Sequence, residues 1–194
     1  MPAPSTPESV IVAPDPHFLL EVDTGVPLLP VKPDEAWLYI DLKTRGLLVF
    51  RGEDVIWQVG HVAIGKNGAG RIRFKGSKMT PIGTFRIERI NGASRFHTFF
   101  GINYPNPQIA EEAIAGGFIS DYEAQRIQRH YDRHRVSLPN TSLGGHIGIH
   151  GLGGRSAFLH KQMDWTDGCL AVTDDEIRQL SKWVGVGTQV LIEG

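Results

Sequence analysis

From Trp37 onward the chain alternates short apolar runs with turn residues. Trp37 to Leu42, Leu47 to Phe50 and Val55 to Ile64 are separated by Lys43-Thr44-Arg45-Gly46 and Arg51-Gly52-Glu53-Asp54. Apolar runs of this length bounded by Gly, Asp and Thr fold back on themselves, so the segment predicts a β-meander. Gly65-Lys66-Asn67-Gly68-Ala69-Gly70 interrupts the pattern, and Lys78-Met79-Thr80-Pro81-Ile82-Gly83-Thr84-Phe85 reads as a tight turn feeding a strand to Ile90. Helical signals cluster in the middle. Asn106-Pro107 starts a helix with proline in its first turn and Gly116-Gly117 stops it. Ser120-Asp121-Tyr122-Glu123 matches a capping box for a second helix running to about His134. Thr173-Asp174-Asp175-Glu176 is another, predicting a helix from Asp174 to Trp183 before a last strand, Gln189 to Ile192. Prolines at 2, 4, 7, 14 and 16 predict an extended lead over residues 1–33, ahead of one folded domain over 34–194.

Composition narrows the function classes. At 194 residues and 41% hydrophobic content, the chain builds one sizeable core rather than two. Lys and Arg number 20 against 21 Asp and Glu, with neither sign dominating a long stretch, which argues against a nucleic-acid partner. Arg126, Arg129, Arg133 and Arg135 on the second helix form either a face toward an acidic substrate or, as surface charge commonly does, a solvated face. No run approaches the ~18 consecutive apolar residues of a membrane span. Met1 to Pro7 lacks both a basic segment and an apolar signal core.

The single cysteine, Cys169, removes an intramolecular disulfide and a cysteine-based zinc finger from consideration. A lone cysteine is commonly a buried small hydrophobe. Its setting here, Trp165-Thr166-Asp167-Gly168-Cys169-Leu170, is instead a polar turn in which a preceding glycine opens the thiol to a substrate carbonyl. Backbone N–H groups around Gly168 are candidates to receive an oxyanion. The helix beginning just beyond Cys169 predicts a modest lowering of the thiol pKa through its dipole.

Two histidines compete as base. His146 and His150 lie four apart in the strand-like His146-Ile147-Gly148-Ile149-His150 and face the same way. His150 is preferred, because Gly151-Leu152-Gly153-Gly154 opens that end of the strand. On a strand the two imidazoles would sit about 13 Å apart, too far to share an ion, so no metal is expected. Trp165 and Tyr104 are either aromatic walls of a substrate groove or ordinary packing. Asp164 and Asp167 orient an amine acceptor or cap a turn.

These residues resemble the catalytic domain of the L,D-transpeptidases, the YkuD-like family. The resemblance rests on Ile149-His150-Gly151, the spacing to Thr166-Asp167-Gly168-Cys169, and the upstream Thr80-Pro81-Ile82-Gly83-Thr84-Phe85. Gly101-Ile102-Asn103-Tyr104-Pro105-Asn106 and Val186-Gly187-Thr188-Gln189-Val190 complete a set spanning residues 37 to 193. It implies a mainly β sandwich or barrel with peripheral helices, and a ping-pong reaction on peptidoglycan stem peptides at a bond to the L-centre of meso-diaminopimelate. In it Cys169 attacks the carbonyl, His150 is base and then acid, the Gly151 carbonyl orients the imidazole, and N–H groups near Gly168 and Cys169 receive the oxyanion. The family implies no metal or organic cofactor, and work in the periplasm or cell wall in wall biogenesis and cell shape.

Two positions depart from many members: Asp167 stands where they carry histidine, and Ala171 where they carry arginine or asparagine. The Trp-Thr-Asp-Gly-Cys form resembles a divergent branch that includes an amidase releasing lipoprotein from peptidoglycan. Transfer and hydrolysis, by a carboxypeptidase or an amidase, therefore both stay open, beside a catalytically silent wall-binding module. A lid formed by residues 106–135 also stays open.

Overall fold

The computed structural model describes residues 31–194. The lead expected over 1–33 therefore lies outside the described residues up to residue 30; of its remainder, Val31 packs against Trp37 and its neighbours. The predicted meander forms as β1 (Ala36–Asp41), β2 (Gly46–Arg51) and β3 (Asp54–Val59), antiparallel throughout. Trp37 sits opposite Phe50, and their rings stack 4.4 Å apart on one face. Leu38, Ile40, Leu47 and Val49 fill the other face, which is the main core. Burial of both faces explains why these runs read as continuous apolar stretches rather than strict alternation.

The remaining strands are β4 (Ala69–Gly70), β5 (Thr80–Pro81), β6 (Gly83–Ser94), β7 (His97–Ile102), β8 (Gly148–His150), β9 (Leu170–Ala171) and β10 (Gln189–Glu193). Strands β4 and β5 pair with each other, while the other eight form one sheet in the order β3-β2-β1-β10-β6-β7-β8-β9. β1 and β10 run parallel at its centre, which places the chain's last strand inside the sheet. The sheet curls into a half-barrel, and the stretch after β3 closes much of the gap by bridging Ala63 to Ala171 and Gly65 to Thr166. This closure accounts for one difference from the sequence reading. The run to Ile64 is not one strand: β3 stops at Val59, and the apolar residues that follow cross to the opposite edge.

Among the described residues four helices sit at the periphery: α1 (Pro107–Ala115), α2 (Asp121–His134), α3 (Ala157–Gln162) and α4 (Asp174–Leu180). The fold is thus mainly β with peripheral helices, as expected. Helices α1 and α2 bury Ile109, Ala113 and Ile127 in the main core. Glu112 on α1 pairs with Arg71. Ser120 caps α2, but the reciprocal half of the expected capping box is missing, because the Glu123 carboxylate accepts from the Ser142 N–H and hydroxyl at 2.6 and 2.7 Å. The Thr173–Glu176 box is complete. Helix α4 ends at Leu180 rather than Trp183, its last turn tightening as the Trp183 N–H donates to the Leu180 carbonyl. Among the described residues no helix is long and apolar enough to cross a membrane.

Candidate active site

Strand pairing brings His150 and Cys169 together. β8 runs parallel to β9 with Ile149 opposite Leu170 and His150 opposite Ala171, so the residue entering β9, Cys169, lies beside Gly148 while His150 ends β8. Both line one cavity of about 490 Å³. The imidazole is almost wholly buried, with Phe96 stacked on it at 4.4 Å and Trp165 edge-on at 5.7 Å. Its Nδ1–H donates to the Gly151 carbonyl at 2.7 Å. A carbonyl can only accept, so the proton is fixed on Nδ1 and the Nε2 lone pair is free to take another. Burial lowers the His150 pKa; the Gly151 bond works against it, while Arg95 and Arg155 add to the lowering. The ring is therefore neutral at pH 7, with the tautomer a general base requires.

Cys169 is half-buried, and its thiol donates to the His146 carbonyl at 3.7 Å. Burial pushes its pKa up to about 11, against the lowering effects of the Gly148 N–H and Arg73. The lowering expected from the nearby helix is thus overridden, and the Asp174 carboxylate at the start of α4 accepts from the Leu152 and Gly153 N–H groups instead. The resting pair is neutral thiol and neutral imidazole, an arrangement in which proton transfer must accompany nucleophilic attack. In the absence of substrate, iodoacetamide should alkylate Cys169 slowly at pH 7.5, the rate rising about tenfold per pH unit toward pH 10. A rate already at its plateau near pH 7 would contradict this electrostatic picture.

The turn before the cysteine is built by Thr166. Its hydroxyl donates to the Cys169 carbonyl at 2.6 Å and accepts from the Gly168 N–H at 3.1 Å. The Gly168 N–H is thus engaged by the Thr166 hydroxyl within the turn. Gly168 has φ +125°, and a Cβ there would lie 2.6 Å from the Met79 carbonyl oxygen. Beneath the turn lies Arg73, 4% exposed, its guanidinium over the Tyr104 ring and its Nη2 donating to the Asp167 carbonyl at 3.4 Å.

The other expected site residues divide. Trp165 and Asp167 line the cavity, Asp167 with its carboxylate 3.4 Å from Lys66 Nζ. His146 also lines it, but not from a strand: its φ of 56° puts it in a left-handed turn before β8, where Arg89 approaches its Nδ1 at 3.3 Å. Tyr104 does not line the cavity. It is fully buried, and its hydroxyl accepts from the Arg73 N–H and donates to the Arg73 carbonyl, so packing rather than a groove wall describes it. Gly151 is buried against Asp174 and Phe96, leaving no room for a Cβ. Asp164 is held by Nη1 and Nη2 of Arg45 and by the Ile64 N–H, which commits it to closing the sheet. No residue of 106–135 lines the cavity. Arg126, Arg129, Arg133 and Arg135 are exposed. Sequence reasoning passed over Phe96, Arg95, Arg155 and Arg89, which all line the cavity and carry no local motif. Among the described residues no group of three or more His, Cys, Asp or Glu could hold a metal ion.

Residues 35–192 match the L,D-transpeptidase catalytic domain, YkuD. The chain belongs to this family. Among solved structures it is similar to the helical cell shape determining protein Pgp2 from Campylobacter jejuni, at TM-score 0.56 and 18% identity over 92% of this chain and 55% of that one. It is also similar to Bd1075 of Bdellovibrio bacteriovorus, at TM-score 0.53 and 20% identity over 82% of this chain and 48% of that one. At these identities the likeness is one of fold, and this YkuD-family chain spans about half the length of either protein. A comparison with curated protein sequences gave no match. The YkuD match takes in β1 to β9, all but the last residue of β10, and both Cys169 and His150.

Proposed function

We propose that this protein is a peptidoglycan-modifying cysteine enzyme that works through a thioester on Cys169. The observation that carries the reading is the His150 tautomer, with Nδ1–H held by the Gly151 carbonyl and Nε2 left to accept the thiol proton in the same cavity. In the first half-reaction, Cys169 Sγ attacks the carbonyl at the L-centre of diaminopimelate in a stem peptide. His150 takes the thiol proton and passes it to the leaving amine. In the second, an acceptor amine or water, deprotonated by His150, attacks the thioester and frees the thiol. The periplasm or cell wall is the setting in which such a substrate is found, and remodelling for cell shape, as in the name of Pgp2, is a fitting role.

Transfer to an amine makes the enzyme an L,D-transpeptidase. A specific observation favours the second reading, hydrolysis by a carboxypeptidase or amidase. The cavity is lined by Lys66, Arg89, Arg95 and Arg155, and its single acid, Asp167, is tied to Lys66. Such a field repels an incoming ammonium and leaves water unaffected.

Mass spectrometry of muropeptides, including a lipoprotein-linked one, tests the proposal when wild type and Cys169→Ala are compared. New 3-3 cross-links or exchanged terminal D-amino acids, with wild type only, identify transfer. Shortened or released peptides identify hydrolysis. Identical products from both proteins contradict the proposal.

A further inference from the structure

The cavity holds four cations besides its two histidines, and they are not equivalent. Lys66 has Asp167 as a partner, and Arg89 has Glu88 at 3.1 Å. Arg95 and Arg155 have no carboxylate partner among the described residues. Each guanidinium lies instead over an aromatic ring: Arg95 over Phe96 at 4.7 Å, and Arg155 over Trp165 at 4.5 Å. Those two rings are 6.3 Å apart, and both pack against the His150 imidazole. The loops that carry the two arginines are tied together, because the Gly151 N–H donates to the Phe96 carbonyl at 3.0 Å and Gly153 abuts the Arg95 carbonyl. Stacking on a ring restricts a guanidinium without using its N–H donors, so both forks stay available for an anion.

We propose that Arg95 and Arg155 form a clamp for the free carboxylate of the residue that leaves the substrate, so that the enzyme reads a peptide chain end one residue beyond the bond it cleaves. This rests on the reading of the site as a thiol enzyme of stem peptides. His150 must hand its proton to the leaving amine, which places the leaving residue against the imidazole. In a chain-terminal amino acid the carboxylate sits one carbon from that amine, and the two rings packed on the imidazole, Phe96 and Trp165, are the ones that carry the guanidiniums. Planar forks match a carboxylate and discriminate against a neutral amide, which offers one acceptor and no charge. The clamp also bears on the base: both arginines lower the His150 pKa, and a bound carboxylate offsets that effect, so the correct substrate makes its own base stronger.

The test compares a stem tetrapeptide ending in a free carboxylate with its C-terminal amide, using the wild type and the Arg95→Gln/Arg155→Gln double variant. Two charge-assisted bonds predict a preference for the acid of about 30-fold in kcat/KM in the wild type, falling to within about threefold in the double variant. Equal turnover of acid and amide by the wild type overturns the clamp. So does an unchanged ratio in the double variant. A second measurement does not depend on the peptide being a substrate: Cys169 is alkylated with iodoacetate and with iodoacetamide, and the ratio of the two rates is compared between the same proteins. A ratio that falls several-fold in the double variant supports the clamp even where neither peptide reacts, an outcome that would sink the stem-peptide reading alone. An unchanged alkylation ratio overturns the clamp whatever the peptides do.

Discussion

Replacing His150 by glutamine should lower turnover about 10³-fold while leaving the fold in place. Glutamine fills much of the same volume between Phe96 and Trp165 and keeps a polar group near the Gly151 carbonyl, but it cannot take a proton. The thiol, whose pKa stands at about 11, cannot supply a useful fraction of thiolate unaided. The loss should therefore fall on kcat. Wild-type activity should drop as the pH is lowered through a value below 6.5, because His150 is the group that titrates there and burial holds its pKa down. The residual activity of His150→Gln should lose this acid limb and rise with hydroxide instead. Steady-state rates from pH 5 to 10, with thermal unfolding as a control for folding, decide the matter. Retention of the acid limb in the variant would assign it to another group.

The second large effect concerns Gly168, where alanine should cost about 3 kcal/mol of stability and remove activity. Two penalties coincide. At φ +125° an L side chain is strained wherever it points, and the added Cβ meets a backbone oxygen 2.6 Å away, which cannot swing aside as a side chain would. Relief requires moving the turn that Thr166 holds, and with it the thiol. Gly185→Ala is the matching control: its Cβ would enter open space, and the change should stay within about 0.5 kcal/mol. Urea unfolding of the two variants measures both expectations. Equal stabilities would show that the turn relaxes at little cost.

What could be read from the chain and what could not divide along the range of the interactions. The meander from Trp37 to Phe50, the proline start of α1 and the Thr173–Glu176 cap depend on neighbours a few residues away, and each was legible. The Cys169 turn and the His150–Gly151 contact are equally local, which is why both residues stood out. His146 was misplaced because strand alternation was extended through a residue whose backbone is left-handed. Val55 to Ile64 was read as one strand because its apolar residues serve two edges of the same sheet, a consequence of curling that no local pattern carries. The arginines around His150 were missed for the same reason. Arg95 lines the same cavity as His150 only because the tip between β6 and β7 folds onto the Gly151 loop, and Ala171, the position that lacks the expected cation, gave no sign that other elements supply charge to the cavity. The helix dipole misjudged Cys169 because burial, unknown from sequence, is the larger effect.

The central claim is that Cys169 carries the acyl group, and intact-protein mass spectrometry after brief incubation with a stem tetrapeptide or a carbapenem tests it most directly. The account predicts a single adduct of acyl mass on the wild type, mapping to the peptide that contains Cys169 and absent from Cys169→Ala. An adduct on another residue, or product formation by Cys169→Ala at the wild-type rate, would contradict it.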